Sequence, residues 1–232
     1  PLWSRGLGDV YKRQDLKWVD INNDGWLDLA IIGQSASTVS FQLLINNQGV
    51  FEVNTPTTVA GLKYSNIAFG DYDNNGTLDM FTAGQDANGN PHSYLYKNDG
   101  RGNFTQDLEF NQYNVIPNLY NADARFVDYD LDGDLDLIYA GTDGGNNPQG
   151  GIRVNTILDP KVTTNNYGGN SFNNGYTYGM NMQMRDAKFD VGDIDGDGDI
   201  DIVALGTGRQ YNGNSYVDYP QLLLVRNQTI ES

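Results

Sequence analysis

The chain has 232 residues, no cysteine and a formal net charge of −16, with a pI near 4.1. Disulfides and thiolate metal sites are excluded, and a surface of this sign repels nucleic acid and anionic lipid. No apolar run reaches the roughly 18 residues of a membrane-spanning helix, whereas 38% hydrophobic residues suffice for a core and 28 glycines suit many turns.

Residues 1–14 read as a foreign leader. Asp9-Val10-Tyr11-Lys12-Arg13-Gln14 back-translates to a transposase mosaic end, so the start is expected to be a library scar on a metagenomic fragment. On that reading the missing signal peptide says nothing about localisation. A fourfold repeat follows. The first copy, Asp15 to Asn66, has an apolar stub at Trp18-Val19, an acidic turn, and an apolar run from Leu27 to Ile32 that stops at Gly33. Phe41 to Ile45 and Val50 to Val53 then read as strands joined by Asn46-Asn47-Gln48-Gly49. The second copy, Ile67 to Asn121, repeats the order with Ser93 to Tyr96 and Asn103 to Thr105. The third, Ala122 to Arg185, carries the longest insertion, Asn165 to Met184, rich in Asn, Gly and Tyr. The fourth, Asp186 to Ser232, reaches a third strand at Gln221 to Val225 with no evident outer strand. Four strands per copy make one propeller blade, and inserts account for the unequal repeat intervals of 51, 57 and 65 residues.

The acidic turns share one nine-residue pattern. Positions 1, 3, 5 and 9 are Asp20, Asn22, Asp24 and Asp28; Asp71, Asp73, Asn75 and Asp79; Asp128, Asp130, Asp132 and Asp136; and Asp193, Asp195, Asp197 and Asp201. Position 6 is always glycine: Gly25, Gly76, Gly133 and Gly198. A hard cation such as Ca²⁺ takes six to eight oxygens, and this spacing offers side chains at 1, 3, 5 and 9 with a backbone carbonyl at position 7, namely Trp26, Thr77, Asp134 and Asp199. Glycine at position 6 permits a positive φ at the turn. An acidic turn without an ion would use the same residue types, but four copies in one register favour the ion. An EF-hand is excluded, because its position 12 glutamate is replaced by Ile31, Thr82, Tyr139 and Ala204. About four Ca²⁺ are expected. They would add eight positive charges and take −16 to −8.

The repeats resemble the FG-GAP or VCBS family, the calcium-binding blades of integrin-alpha-like β-propellers. The likeness rests on Trp18 to Leu29, Phe69 to Met80, Phe126 to Leu137 and Val191 to Ile202. The Gly-Ala-Pro element of the integrin form is absent, which favours the bacterial VCBS-like branch. The resemblance implies an all-β propeller with rings of commonly seven blades, so these four blades, the last incomplete, are expected to form an arc.

The expected role is non-catalytic: adhesion or ligand binding in a secreted or cell-surface protein. A protein or glycan ligand, no nucleic acid, no membrane insertion and the remaining blades of a parent chain complete the expectation. The alternative is the propeller of a secreted polysaccharide lyase. It needs a base and cations against a uronate, yet the chain has one histidine, His92, and only 14 Lys and Arg. Tyr176, Tyr178, Tyr211, Tyr216 and Tyr219 could stack on a ligand, although packing between blades is the commoner use of such residues.

Overall fold

The computed structural model describes residues 12–35, 38–108, 110, 116–155, 177–178 and 182–227. Its strands are β1 (Lys12–Val19), β2 (Asp28–Ser35), β3 (Thr38–Asn47), β4 (Val50–Val53), β5 (Lys63–Gly70), β6 (Asp79–Gln85), β7 (Pro91–Asn98), β8 (Phe104–Gln106), β9 (Tyr120–Val127), β10 (Asp136–Thr142), β11 (Pro148–Arg153), β12 (Thr177–Tyr178), β13 (Arg185–Gly192), β14 (Asp201–Tyr211) and β15 (Tyr216–Val225). They form four antiparallel meanders in chain order: β1 to β4, β5 to β8, β9 to β12 and β13 to β15. The first strands of successive sheets neighbour one another, β1 with β5, β5 with β9 and β9 with β13. That is the arrangement of propeller-like blades around an axis. Every acidic turn joins the first and second strands of its sheet. Among the described residues no helix is long and apolar enough to cross a membrane.

Strand alternation decides what fills the space between sheets, because successive side chains point to opposite faces. Ala30 and Ile32 of β2, with Phe41 and Leu43, pack against Ile67, Met80, Tyr96 and Phe104 of the second sheet. Phe81, Ala83 and Leu95 pack against Leu137 and Tyr139 of the third. Ile138, Ala140 and Ile152 pack against Ile202 and Ala204 of the fourth. Counting from position 9 of the turn, residues two and four further on face the next sheet, and residues one and three further on face the preceding one. The second strands of the two middle sheets are therefore buried on both faces, β10 along its whole length.

Two expected boundaries differ. β1 begins at Lys12, so Lys12 to Gln14, read above as leader, lie in a strand whose first residue is paired with Gln34. β15 starts at Tyr216, not Gln221, because β14 and β15 run on past the sheet as a long hairpin closed by Tyr211 opposite Tyr216. Tyr211, Tyr216 and Tyr219 are exposed on that hairpin and do not pack between blades. Most of the long insertion, including Tyr176, lies outside the described residues. Thr177 and Tyr178 within it pair with β11 as the outer strand of the third sheet.

Candidate metal centres

Each acidic turn is wound by its own side chains before any ion is considered. The position 1 carboxylate accepts the position 6 glycine N–H in all four turns: Gly25 to Asp20 at 2.9 Å, Gly76 to Asp71 at 2.8 Å, Gly133 to Asp128 at 3.1 Å and Gly198 to Asp193 at 3.1 Å. The position 5 side chain accepts the position 7 N–H, from Trp26, Thr77, Asp134 and Asp199, at 2.8 to 3.0 Å. Two residues per turn sit at positive φ. One is the expected glycine, with φ from 86° to 95°; the other is position 4, Asn23, Asn74, Leu131 or Gly196. Leu131 at φ 59° is the strained member, since a branched side chain is unfavourable there.

This winding converges the carboxylates. Ligand oxygens of Asp71, Asp73 and Asp79 lie within 4.8 Å of one another, as do those of Asp128, Asp130 and Asp136, and those of Asp193, Asp195 and Asp197. The first turn brings no such carboxylate trio together among the described residues; its position 3 is Asn22, which donates to Asp24 at 2.9 Å. At position 7, Trp26 is exposed, Thr77 donates to the Asn98 carbonyl at 3.0 Å, and the Asp134 and Asp199 side chains are buried.

The residues fit a bound cation on two counts. First, five turn oxygens are buried and accept no hydrogen bond: Asp73 Oδ1, Asp79 Oδ2, Asp128 Oδ1, Asp130 Oδ1 and Asp197 Oδ2. A buried acceptor without a donor is costly, and a metal ion removes that cost. Second, Asp28, Asp79, Asp130 and Asp136 resist ionisation without a counter-charge. Burial, then the charges of Asp73 and Asp71, pushes Asp79 up to about 7. Burial pushes Asp136 up to about 7, with Asp130 and Asp132 adding to it. Asp130 rises to about 6 through burial and the adjacent Asp132. Asp28 is raised by burial as well. Two cations stand beside turns, Lys97 at 3.6 Å from Asp73 and Arg226 at 3.9 Å from Asp195.

Position 9 has a second task that its spacing does not reveal. Asp28, Asp79, Asp136 and Asp201 are fully buried. Each accepts the backbone N–H of an asparagine at or just past the third strand's end: Asn46 at 2.7 Å, Asn98 at 2.9 Å, Asn155 at 2.7 Å and Asn227 at 2.9 Å. In three turns the other oxygen accepts the position 2 N–H, from Ile21, Tyr129 and Ile194. The same asparagines tie sheets together. The Asn98, Asn155 and Asn227 amides donate to the carbonyls of Ile21, Tyr72 and Tyr129, the position 2 residues of the preceding turns, at 2.9, 2.6 and 2.6 Å. Sequence reasoning missed these four residues, although an asparagine recurs 18, 19, 19 and 26 residues beyond position 9. Asn227 also begins a glycosylation sequon, but its amide is buried and engaged, which leaves no room for a glycan.

Position 9 thus joins turn and strand in all four copies and enters the carboxylate trio in the second and third. Asp201 closes its turn, so Asp201→Ala is expected to lower calcium affinity more than Asn22→Asp changes it. Isothermal titration of both variants checks this. Equal small effects would assign position 9 to the turn alone.

A second concave feature lies at the starts of the first strands. Gln14, Tyr64, Asn121, Asp186 and Lys188 line a cavity of about 260 Å³. Tyr64, Asn121 and Asp186 occupy equivalent bulged positions at positive φ, and Asn121 donates to Asp186 at 2.6 Å.

A family model for FG-GAP-like repeats matches residues 20–82 and again residues 71–139, together more than half of the chain. Among solved structures, an Agrocybe aegerita lectin described as recognising non-reducing terminal N-acetylglucosamine is similar, at 17% identity and a TM-score of 0.48. The match covers 95% of this chain and 54% of that one, so the chain spans about half of the lectin's length. No curated protein matches the sequence.

Proposed function

The chain belongs to the FG-GAP-like repeat family, and from that premise we propose that it is a calcium-binding propeller scaffold that presents a ligand-binding surface and performs no chemistry. The observation that carries the proposal is the set of five buried carboxylate oxygens that accept no hydrogen bond. The donor set is all oxygen and irregular in charge, which suits the flexible coordination of Ca²⁺ better than the strict octahedron of Mg²⁺. Positions 1, 3, 5 and 9, with the position 7 carbonyl, would hold the ion. The bound ion supplies charge neutralisation inside each turn, while the asparagine clamps pass the ordered turn on to the next sheet. Sites so rich in carboxylate suit the millimolar calcium outside cells, which supports a secreted or cell-surface protein. The four sheets read best as an arc of a ring of about seven blades, the rest supplied by a parent chain.

The cations support binding over catalysis. Lys17, Arg125 and Lys188 of the first strands stand at 3.6, 2.9 and 3.7 Å from Asp15, Asp190 and Asp123. They are spent on these pairs, whereas a lyase would aim them at a uronate. His92 stacks on Tyr94 with ring centroids 5.3 Å apart and contacts Asp86 at 3.4 Å. The cavity around Tyr64, Asn121 and Asp186 is the place we assign to a small hydroxylated ligand such as a glycan end.

Isothermal titration of chelator-treated protein tests the proposal. About four Ca²⁺ should bind per chain, more tightly than Mg²⁺, with the four-carboxylate turns at Asp128 and Asp193 filling first. Zero or one site would sink it.

A further inference from the structure

Neighbouring turns touch through their position 4 side chains, and these contacts lie among the ion ligands themselves. Asn23 of the first turn donates to the Gly76 carbonyl of the second at 2.9 Å. Asn74 of the second turn donates to Asp134 Oδ1 of the third at 2.7 Å. Both donors sit at positive φ, 56° and 55°, a conformation asparagine tolerates better than most residues. Asn74 stands between Asp73 and Asn75, positions 3 and 5 of its own turn. Asp134 is position 7 of the next turn, with its side chain fully buried. Its N–H donates to Asp132, position 5 of that turn, at 2.9 Å. A single amide therefore joins the ligand set of one turn to the ligand set of the next.

The third turn breaks the pattern. Its position 4 is Leu131, whose side chain has no donor to offer and is 43% exposed. The fourth turn carries Asp199 at the place equivalent to Asp134. The clamp asparagines make no such distinction. Asn155 ties the third sheet to the second turn, and Asn227 ties the fourth sheet to the third turn. Position 4 thus gives the second and third turns a link that the Leu131 side chain cannot supply to the third and fourth.

We propose that Asn74 couples ion binding in the second and third turns, so that these two sites fill as a pair. An ion that orders position 7 of the third turn fixes Asp134, and Asp134 holds the Asn74 amide between Asp73 and Asn75. The second turn has three carboxylates at positions 1, 3, 5 and 9, and the third has four, so the richer site prepares the poorer one. Linkage makes the effect equal in both directions. The coupling rests on the calcium reading above and concerns two turns that each have a neighbour on both sides.

Calcium titration followed by two-dimensional amide NMR tests it turn by turn, because each position 6 glycine N–H lies inside its own turn. Disabling the second turn with Asp71→Asn and Asp73→Asn together should raise the calcium midpoint at Gly133 by about fivefold, at the lower end of typical couplings. Disabling the third with Asp128→Asn and Asp130→Asn should raise the midpoint at Gly76 by the same factor. Asn74→Gly keeps the positive φ and removes the amide. In that background both shifts should shrink to the smaller one seen at Gly133 when Asp193→Asn and Asp195→Asn disable the fourth turn. Asn74→Asp, which sets a carboxylate against Asp134, should abolish the coupling as well. Equal shifts with and without Asn74, or no shift at all, would overturn the coupling and leave the metal sites standing. Gly76 and Gly133 signals that never respond to calcium would overturn the coupling together with the calcium reading.

Discussion

Chelation at neutral pH is expected to remove about 6 kcal/mol of stability, enough to unfold a domain whose whole stability is of that order. With site affinities near 10⁻⁴ M, millimolar calcium stabilises by roughly 1.4 kcal/mol per site, and four sites act together. The structure adds a pH dependence to this result. Folding raises Asp79 and Asp136 to about 7 and Asp130 to about 6, from an ordinary 3.8. The folded state therefore binds more protons than the unfolded chain between about pH 4 and 7, and stability without metal falls as pH rises through that window. Calcium needs the ionised carboxylates, so its stabilisation grows over the same range. Thermal melts in chelator should be highest near pH 5 and lower at pH 8, whereas the gap between calcium and chelator should widen from pH 5 to 8. Coincident melts with and without calcium at pH 8 would remove the metal from the account.

Asn155→Ala is the second large effect. Its side-chain amide donates to Tyr72 O at 2.6 Å and Leu135 O at 3.2 Å, and the residue is fully buried between the second and third sheets. Truncation leaves one buried and one half-buried carbonyl without these donors, at about 1–3 kcal/mol each. A total of about 2–5 kcal/mol is expected in saturating calcium, read by urea denaturation. Asn46→Ala removes only one such amide bond, to Leu27 O, and should cost less. Equal costs would mean that the contact between sheets adds nothing to the clamp.

The acidic turns were legible in the sequence because everything that winds them is local. Position 1 reaches position 6, and position 5 reaches position 7, within a few residues. The strands were legible for the same reason, as short apolar runs stopped by glycine. Reading failed where partners are distant. Asn98 and Ile21 are 77 residues apart, and Asn227 and Tyr129 are 98 apart, so an asparagine at a strand's end looks like an ordinary turn former. β10 shows the limit most clearly. Its sequence, Asp136 to Thr142, is apolar enough for a strand buried on both sides, and it is buried throughout. β14 opens with a run as apolar, Ile202 to Leu205, yet buries Ile202 and Ala204 and exposes Val203 and Leu205. By itself the sequence determined the strands, their order and the spacing of the turn carboxylates, because these follow from spacing along one chain segment. Only the tertiary structure decided which strand faces are covered, because coverage depends on the neighbouring sheet.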